Sequence, residues 1–178
     1  EAAGYGFAKY WMHNAWVTTA GEKMSKSLGN TLQVQELLKH VRGIELRWYL
    51  GSAHYRSMLE FSHEALAESA TSFRRIENFL IRAKGILGKI PSKTISPKMT
   101  DLMNDDLAVP QVLAMISELL RQGNSALTST DTTTISQTAS EIRGALDILG
   151  CDPFDPNFES VKPSSETAID GLISLLLE

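Results

Sequence analysis

Residues 15–30 read AWVTTAGEKMSKSLGN, and the interpretation of the whole chain starts from this stretch. Its first five residues are rich in aromatic and β-branched side chains, which predicts a short strand. Ala20 and Gly21 are a turn signal, and the polar segment after them, with its lysines, serines and Gly29, predicts a loop. The stretch therefore predicts a strand that ends in a lysine-bearing loop.

The loop pentapeptide KMSKS contains residue types suited to binding phosphate. Lys23 and Lys26 place two ammonium groups three residues apart, and an ammonium is a compact point charge for phosphate oxygens. Ser25 and Ser27 add hydroxyl donors. The lysine spacing by itself is explained equally by a solvated basic loop, because short motifs often match by chance.

Apolar residues recur at helical spacing along most of the chain beyond this loop. The first pattern ends at Gly43, which we expect to be a left-handed cap. Ser62 suits the N-cap of a long helix, and Pro110 suits the first turn of a later one. The apolar stripes are Val34, Leu37, Leu38 and Val41; Leu46, Tyr49 and Leu50; Leu66, Ala70, Phe73, Ile76 and Leu80; Val112, Leu113, Ile116, Leu119 and Leu120; and Ile135, Ala139, Ile142, Leu146 and Leu149.

The stretches between these patterns are interpreted from composition. Residues 2–13 carry aromatic side chains and predict a helix before the strand, whereas residues 51–61 predict a loop. The proline-bearing residues 150–163 predict a linker, and Ser164 or Ser165 predicts the start of a last helix. Amphipathic helices bury their stripes against each other, so the predicted fold is mainly α, with a helix, a short strand and a loop followed by an antiparallel helical bundle.

Composition limits the classes of protein to which the chain belongs. Among its 178 residues, 43% are hydrophobic and 21% are charged, which is typical of a globular chain, and the net charge of −4 excludes a polycation. The single cysteine, Cys151, excludes an internal disulfide or a cysteine-rich zinc site and favours a reduced, cytoplasmic setting. No apolar run is long enough to span a membrane. The chain begins at Glu1 without a methionine, so we interpret it as a fragment.

Five stretches of this sequence together resemble one family. KMSKS is similar to the signature loop of class I aminoacyl-tRNA synthetases, and it follows a strand-like segment and a glycine turn as it does in that class. The flanking stretches resemble cysteinyl-tRNA synthetase: YWMHNAWV at residues 10–17, SLGNTLQVQELL at 27–38, LRWYLGSAHYRSMLEFS at 46–62 and MNDDLAVPQVLA at 103–114. Past Cys151 the resemblance rests on position more than on motif.

The resemblance implies ATP-dependent activation of L-cysteine, with Mg²⁺, followed by transfer of the cysteine to tRNA(Cys). By their positions in the motif, Lys26 and then Lys23 are the expected catalytic residues, and Ser25 and Ser27 are expected to join them in binding ATP. The family's His-Ile-Gly-His element and its Zn²⁺ ligands are absent from this sequence, so we expect no metal ligands in the chain and no activity from the chain by itself. His13 is interpreted as a packing residue.

We expect three regions: residues 1–60, the carboxy-terminal part of the catalytic domain; residues 61–150, a helical bundle facing tRNA and resembling a DALR domain; and residues 151–178, a linker and the start of a further region. Seven basic residues and a single acid, Glu77, lie between residues 74 and 98. A solvated helix face explains such a run, but with the family resemblance it also suits phosphate contacts. The candidate tRNA-binding residues are Arg56, Arg75 and Arg82.

Two alternatives remain open from the sequence. The first is a mycothiol-pathway ligase, which resembles the same family and joins activated cysteine to an amino sugar. The second is a non-catalytic helical module that binds RNA, in which KMSKS would have no catalytic use.

Overall fold

The computed structural model describes residue 4 and residues 7–19, 21–23 and 33–159, and within them the fold is mainly helical, as predicted. None of the helices in these ranges is long and apolar enough to cross a membrane. The helix predicted after Ser164 or Ser165 lies outside the described residues.

A small sheet stands at the amino-terminal side. Its strands are β1 (Val17–Thr19), β2 (Glu22–Lys23) and β3 (Leu59–Glu60), in the order β2-β1-β3. Strand β1 pairs antiparallel with β2 across a tight turn at Gly21, and parallel with β3. The strand predicted within residues 15–19 is therefore confirmed, and the sheet also recruits two residues from the predicted loop at 51–61.

Helices make up most of the remaining described chain. The helix predicted after Ser62 is confirmed, because the Ser62 hydroxyl accepts a hydrogen bond from the Ala65 amide, and Pro110 lies in the first turn of its helix as expected. The helices are α1 (Val34–Leu37), α2 (Gly43–Leu50), α3 (His63–Leu87), α4 (Pro97–Asn104), α5 (Val109–Ser129), α6 (Thr132–Ile148) and α7 (Pro156–Glu159).

The main core lies between α3, α5 and α6. Helices α5 and α6 are joined by only Thr130 and Asp131, so they pack as an antiparallel hairpin, and α3 lies against both. The fully buried side chains of this core include Phe73, Phe79, Leu80, Val112, Ile116, Ile135, Ile142 and Leu146. All of these except Phe79 belong to the apolar stripes that were predicted to be core, and that prediction is confirmed.

Helix α2 contributes to two cores at once. Ile44 and Trp48 enter the main core, whereas Leu46 and Tyr49 enter a smaller core beneath the sheet. The smaller core also contains Leu37, Phe61 and Leu66. Because one short helix is buried on both sides, the sheet is held in a defined place beside the bundle.

Two local predictions were wrong. No helix exists in residues 7–13, the described part of the predicted helix 2–13. Its aromatic side chains are solvent-exposed in this chain, Tyr10 by 92%, so they lack the apolar partner that stabilises a short amphipathic helix. Gly43 is not a left-handed cap but the first residue of α2, and the left-handed caps are instead Gly88 after α3 and Thr130 after α5.

The described part of the predicted linker, residues 150–159, also differs from the prediction. Cys151 and Asp152 are buried, each with 2% exposure. The Asp152 carboxylate accepts hydrogen bonds from the Arg143 guanidinium, at 2.6 and 3.2 Å, and the same guanidinium donates to the Pro91 carbonyl. This buried, hydrogen-bonded ion pair fastens the segment to α6, so the prolines shape a packed turn and not a free linker.

Close backbone packing against α6 yields a stability prediction. A Cβ atom on Gly144 would lie 2.6 Å from the Thr94 carbonyl carbon and nearer still to its oxygen, whereas a Cβ on Gly85 in α3 meets nothing within 4 Å. We expect Gly144→Ala to lower the free energy of unfolding by about 1–3 kcal/mol, because the backbone must move apart. Gly85→Ala should raise it by about 0.5–1 kcal/mol through helix propensity.

The measurement is urea unfolding followed by circular dichroism, with Gly85→Ala as the matched control. Equal unfolding midpoints for the two variants would show that the contact between Thr94 and Gly144 does not constrain the fold.

Candidate functional site

The β1–β2 hairpin leads directly into the KMSKS segment, and a carboxylate holds its turn. Glu60, on β3, accepts a hydrogen bond from the Gly21 amide at 3.0 Å and another from the Thr18 hydroxyl. Thr18 lies opposite Lys23 in the hairpin. One side chain therefore fixes both the strand and the turn from which the lysine segment departs.

The structure describes only the first of the predicted ATP-binding residues. The backbone of Lys23 belongs to β2. Ser25, Lys26 and Ser27 lie outside the described residues. The predicted roles of these three residues stay predictions. The described part of their segment is its base, the β1–β2 hairpin that ends at Lys23.

Strand β3 is itself anchored by the smaller core. The Tyr49 hydroxyl donates to the Glu60 carbonyl at 3.0 Å, and its ring packs edge-on against Phe61 with 5.9 Å between centroids. Burial raises the pKa of Tyr49, so the hydroxyl stays protonated and keeps donating. The anchoring runs from α2 through Tyr49 to β3 and from there to the hairpin.

A cleft of about 290 Å³ separates the hairpin side from the bundle. Its lining comes from the segment before β1, from the loop between α2 and β3, and from the start of α5. Trp16, Leu50 and Leu107 are among the lining residues, and Trp16 is 55% exposed. The cleft thus leaves apolar side chains from both sides partly open to solvent.

Arg56 is placed in an ion pair with an aspartate. Its Nε donates to Asp106 Oδ2 at 2.9 Å, and its guanidinium carbon lies 4.9 Å from the centre of the Tyr55 ring. Asp106 belongs to the turn between α4 and α5, so residues 54–56 form a junction with the bundle. The side chain of Arg56 is still 62% exposed, and its contact with tRNA stays a prediction.

The basic run of residues 74–98, which begins on α3 and continues past its end, divides into bound and available side chains. The Arg74 guanidinium donates to Glu45 at 2.6 Å, and Lys93 pairs with Asp147 at 2.7 Å. Arg75 and Arg82 are exposed and lie two helical turns apart on one face of α3. Within the described part of the chain they form no ion pair. The face available to an anion is therefore narrower than the run of charges suggests.

Metal and thiol chemistry find no support in the described residues. Within those ranges no three His, Cys, Asp or Glu side chains are grouped so as to hold a metal ion. Burial raises the pKa of the Cys151 thiol to about 11, so it is a packed, unreactive group. The ring of His13 is exposed and stacks on Trp11, itself 69% exposed, with 6.5 Å between centroids, and its interpretation as a packing residue stays a prediction.

Sequence reasoning missed Glu60 and Asp106. Glu60 acts on residues about forty positions earlier, and nothing local marks that pairing. Asp106 lies in the quoted MNDDLAVPQVLA stretch, but its significance comes from a left-handed backbone and from partners fifty residues away. Both residues bind segments that are distant in sequence, and periodicity within a sequence does not reveal such contacts.

Two family models match the chain in tandem. Residues 1–71 match the class I (C) tRNA synthetase catalytic domain, and residues 98–151 match the DALR domain. The sheet, α1 and α2 lie within the first match, and α5 and α6 lie within the second.

Curated relatives named cysteine–tRNA ligase align along the whole chain. The protein of Nocardioides sp. is 51% identical over 182 residues, which cover 99% of this chain and 39% of the relative. The protein of Streptomyces griseus is 46% identical over 185 residues, covering 100% and 40%. That of Streptomyces avermitilis is 45% identical over 183 residues, covering 100% and 39%. The chain thus spans about two fifths of the length of these relatives.

These matches do not favour the amino-sugar ligase or the non-catalytic RNA-binding module. The catalytic-domain match precedes the DALR match in one continuous chain, and the relatives just described carry the ligase name. The chain belongs to the cysteine–tRNA ligase family of class I tRNA synthetases, of which it represents a segment that joins catalytic-domain sequence to the DALR domain.

Proposed function

We propose that the full-length protein containing this chain activates L-cysteine with ATP and transfers it to tRNA(Cys). The observation that carries the proposal is the KMSKS segment at the end of a hairpin tethered by Glu60, within a chain 51% identical to a cysteine–tRNA ligase. In this proposal residues 1–60 serve activation, residues 61–150 face the tRNA, and residues 151–178 lead into a further region.

The lysines of the motif would act on charge that develops during activation. The carboxylate of cysteine attacks the α-phosphorus of ATP, the bond to the bridging oxygen breaks, and pyrophosphate leaves with the negative charge. A fixed ammonium near that charge stabilises the transition state more than the ground state. We assign this role to Lys26, with Lys23 supporting it, and we assign phosphate contacts to Ser25 and Ser27.

Glu60 would act through the segment and not on the substrate. Its carboxylate binds the Gly21 amide and the Thr18 hydroxyl, which fixes the direction in which the chain leaves β2. A catalytic group held to within a fraction of an ångström contributes far more than one that must be ordered for each reaction. Glu60 is therefore proposed as a positioning residue for the lysines.

The tRNA is proposed to contact the exposed face of α3. Arg75 and Arg82 lie about 10 Å apart along the helix, a spacing that suits two phosphates of one strand. Such contacts orient the nucleic acid without reading its sequence. Arg56 is a further candidate contact, although its guanidinium already binds Asp106.

Mg²⁺ is proposed to accompany ATP as part of the substrate. Zn²⁺ is expected in the family's full-length enzyme, but the described residues offer no cluster that fits it, and no step proposed for this chain goes through zinc. The single buried thiol of Cys151 agrees with the cytoplasmic setting that we propose.

The experiment that tests the function uses the purified full-length protein. Cysteine-dependent exchange of pyrophosphate into ATP reports activation, and charging of tRNA(Cys) reports transfer. Activation with transfer to an amino sugar and not to tRNA would replace this proposal by the mycothiol-type ligase. The absence of activation, with retained RNA binding, would replace it by the non-catalytic module.

Removal of Lys26 should impair activation. We expect Lys26→Ala to slow formation of cysteinyl-adenylate about a hundred- to a thousandfold at saturating cysteine, because one preorganised charge is lost. Lys26→Arg should recover part of the rate, since a planar guanidinium does not occupy the position of an ammonium. Rapid-quench kinetics measures the rate, and Lys39→Ala, an exposed lysine on α1's flank, is the control. Near-normal activation with weakened tRNA binding would assign Lys26 to the RNA instead.

Removal of the Glu60 carboxylate should make the turn of the β1–β2 hairpin more mobile. We expect Glu60→Ala to speed hydrogen exchange at the Gly21 amide about ten- to a hundredfold, because a hydrogen bond to a charged acceptor is lost. The KM for ATP should rise while the KM for cysteine stays unchanged, and Glu60→Gln should be intermediate. Glu68→Ala, an exposed acid on α3, is the control. An unchanged rate of hydrogen exchange at the Gly21 amide would contradict the proposed positioning role of Glu60.

The proposed tRNA face predicts a change in salt dependence. We expect the double variant Arg75→Ala/Arg82→Ala to raise the KM for tRNA and to reduce the slope of log affinity against log salt by about 2, one for each lost phosphate contact. Filter binding at several salt concentrations measures the slope. The control is Arg121→Ala, an exposed arginine on α5 that pairs with Glu118. If the control lowered the slope as much, the effect would be one of net charge and not of this face.

A further inference from the structure

The turn between α4 and α5 is bound by three consecutive residues of a distant loop. Asp106 accepts hydrogen bonds on its carboxylate from Tyr55, at 2.5 Å, and from Arg56, at 2.9 and 3.3 Å. The carbonyl of Asp106 lies 2.8 Å from His54 Nε2. We call His54, Tyr55, Arg56 and Asp106 the junction clamp. Almost every polar atom that Asp106 offers is used by a segment fifty residues away in sequence.

The chemistry of these contacts assigns a proton to one ring nitrogen of His54. A carbonyl oxygen only accepts, so Nε2 must donate to it, and Nδ1 then accepts from the Arg56 amide at 3.3 Å. The hydrogen bonds from Arg56 and Tyr55 hold the pKa of Asp106 below its ordinary value, so its carboxylate is charged near neutral pH. In the clamp, His54, Tyr55 and Arg56 therefore donate the hydrogen bonds, and Asp106 accepts them.

The backbone of the turn is unusual for its residue types. Asp106 and Leu107 have φ values of 50° and 55°, which place two consecutive non-glycine residues in the left-handed region. That conformation is costly for side chains with a Cβ, and most of all for leucine, so it persists only where surrounding contacts determine it. The Leu107 amide donates to the Met103 carbonyl at 3.3 Å and the Ala108 amide donates to the Leu102 carbonyl at 3.1 Å, and the clamp restrains the same turn through Asp106. Local backbone bonds and the clamp together hold Asp106 in this conformation.

The two sides of the clamp belong to the two matched domains. Residues 54–56 lie in the catalytic-domain match and immediately precede β3, whereas Asp106 lies in the DALR match. Other attachments between these parts lie along α2: Ile44 and Trp48 enter the main core, and Arg47 Nε donates to the Leu149 carbonyl at 3.2 Å. Attachments along a single helix leave rotation about it possible, whereas one that lies off the helix fixes the angle. The clamp is such an attachment, because it joins the loop between α2 and β3 to the turn between α4 and α5.

We propose that the junction clamp fixes the angle between the lysine-bearing hairpin and the helical domain, and thereby positions bound tRNA for transfer without taking part in cysteine activation. The proposal rests on the proposed function. His54, Tyr55, Arg56 and Asp106 are positioning residues in it. Because the clamp is exposed, it contributes little to global stability, and its effect falls on geometry.

The decisive variant is Asp106→Asn, which keeps a side chain tolerant of the left-handed conformation but removes the charge. In the full-length protein we expect kcat/KM for tRNA charging to fall about ten- to a hundredfold, because small misplacements of reacting groups are that costly. Cysteine-dependent exchange of pyrophosphate into ATP should stay within twofold. Hydrogen exchange at the amides of residues 107 and 108 should accelerate. Tyr55→Phe, which removes one bond, should give a smaller change of the same kind.

The matched control is Glu118→Gln, which removes an equally exposed carboxylate from an ion pair within α5. Its charging and exchange activities should both be unchanged. If Arg56 were mainly a tRNA contact, Asp106→Asn would free it and improve tRNA charging, which would overturn the clamp. Unchanged charging, or charging and activation lost in parallel, would overturn it as well. If the unmodified protein shows no cysteine-dependent exchange, the proposed function itself fails, and this outcome is distinct from the others.

Discussion

The carboxylate of Glu45 has no exposure to solvent, and a buried charge of this kind must be paired. It accepts hydrogen bonds from the Arg42 amide and guanidinium and from the Arg74 guanidinium, at 2.6–3.0 Å. Burial pushes the pKa of Glu45 up, but these bonds outweigh burial and leave it below its ordinary value. Arg42 also binds Glu77 with two hydrogen bonds, so the start of α2 is fastened at two points of α3.

The remaining architecture depends on that fastening. With its first turn fixed on α3, α2 directs Trp48 into the main core and Tyr49 towards β3. From Tyr49 the restraint passes to Glu60, and from there to the hairpin turn. A comparable fixed point exists where the chain leaves α6, because Arg143 and Asp152 are paired and nearly buried there. Removal of one partner from either pair should destabilise the fold, because the charge left behind would be buried without a counter-ion.

The sequence predicted most of what depends on local periodicity and little of what depends on distant contacts. The stripes of α3, α5 and α6, the cap at Ser62 and the strand at Val17 follow from neighbours a few residues away. The KMSKS segment was recognisable because its chemistry is local. Gly43 was misassigned because glycine occurs at both ends of helices. Only the bonds of Glu45, in α2, to the Arg42 amide and to Arg74 of α3 show that a helix begins there.

The same limit explains the errors at the two ends of the described chain. Residues 7–13 have a helical composition but expose their aromatic side chains, and composition does not reveal a missing partner. The prolines after Gly150 suggest a linker until Asp152 is seen to be buried beside Arg143. Glu60 and Asp106 were missed because each binds groups about forty to fifty residues away, and no pattern in a single sequence specifies that pairing.

The parallel pairing of β1 with β3 also has a consequence for the order of folding. Thr18 and Glu60 are 42 residues apart in sequence, whereas α5 and α6 meet across a two-residue connection. Closing a long loop costs entropy before any contact compensates for it, so we expect the helical hairpin to form early and the sheet to form late. Elements that assemble last on the way to the native state are commonly the first to open within it. We therefore expect the base of the lysine segment to open while α5 and α6 stay folded.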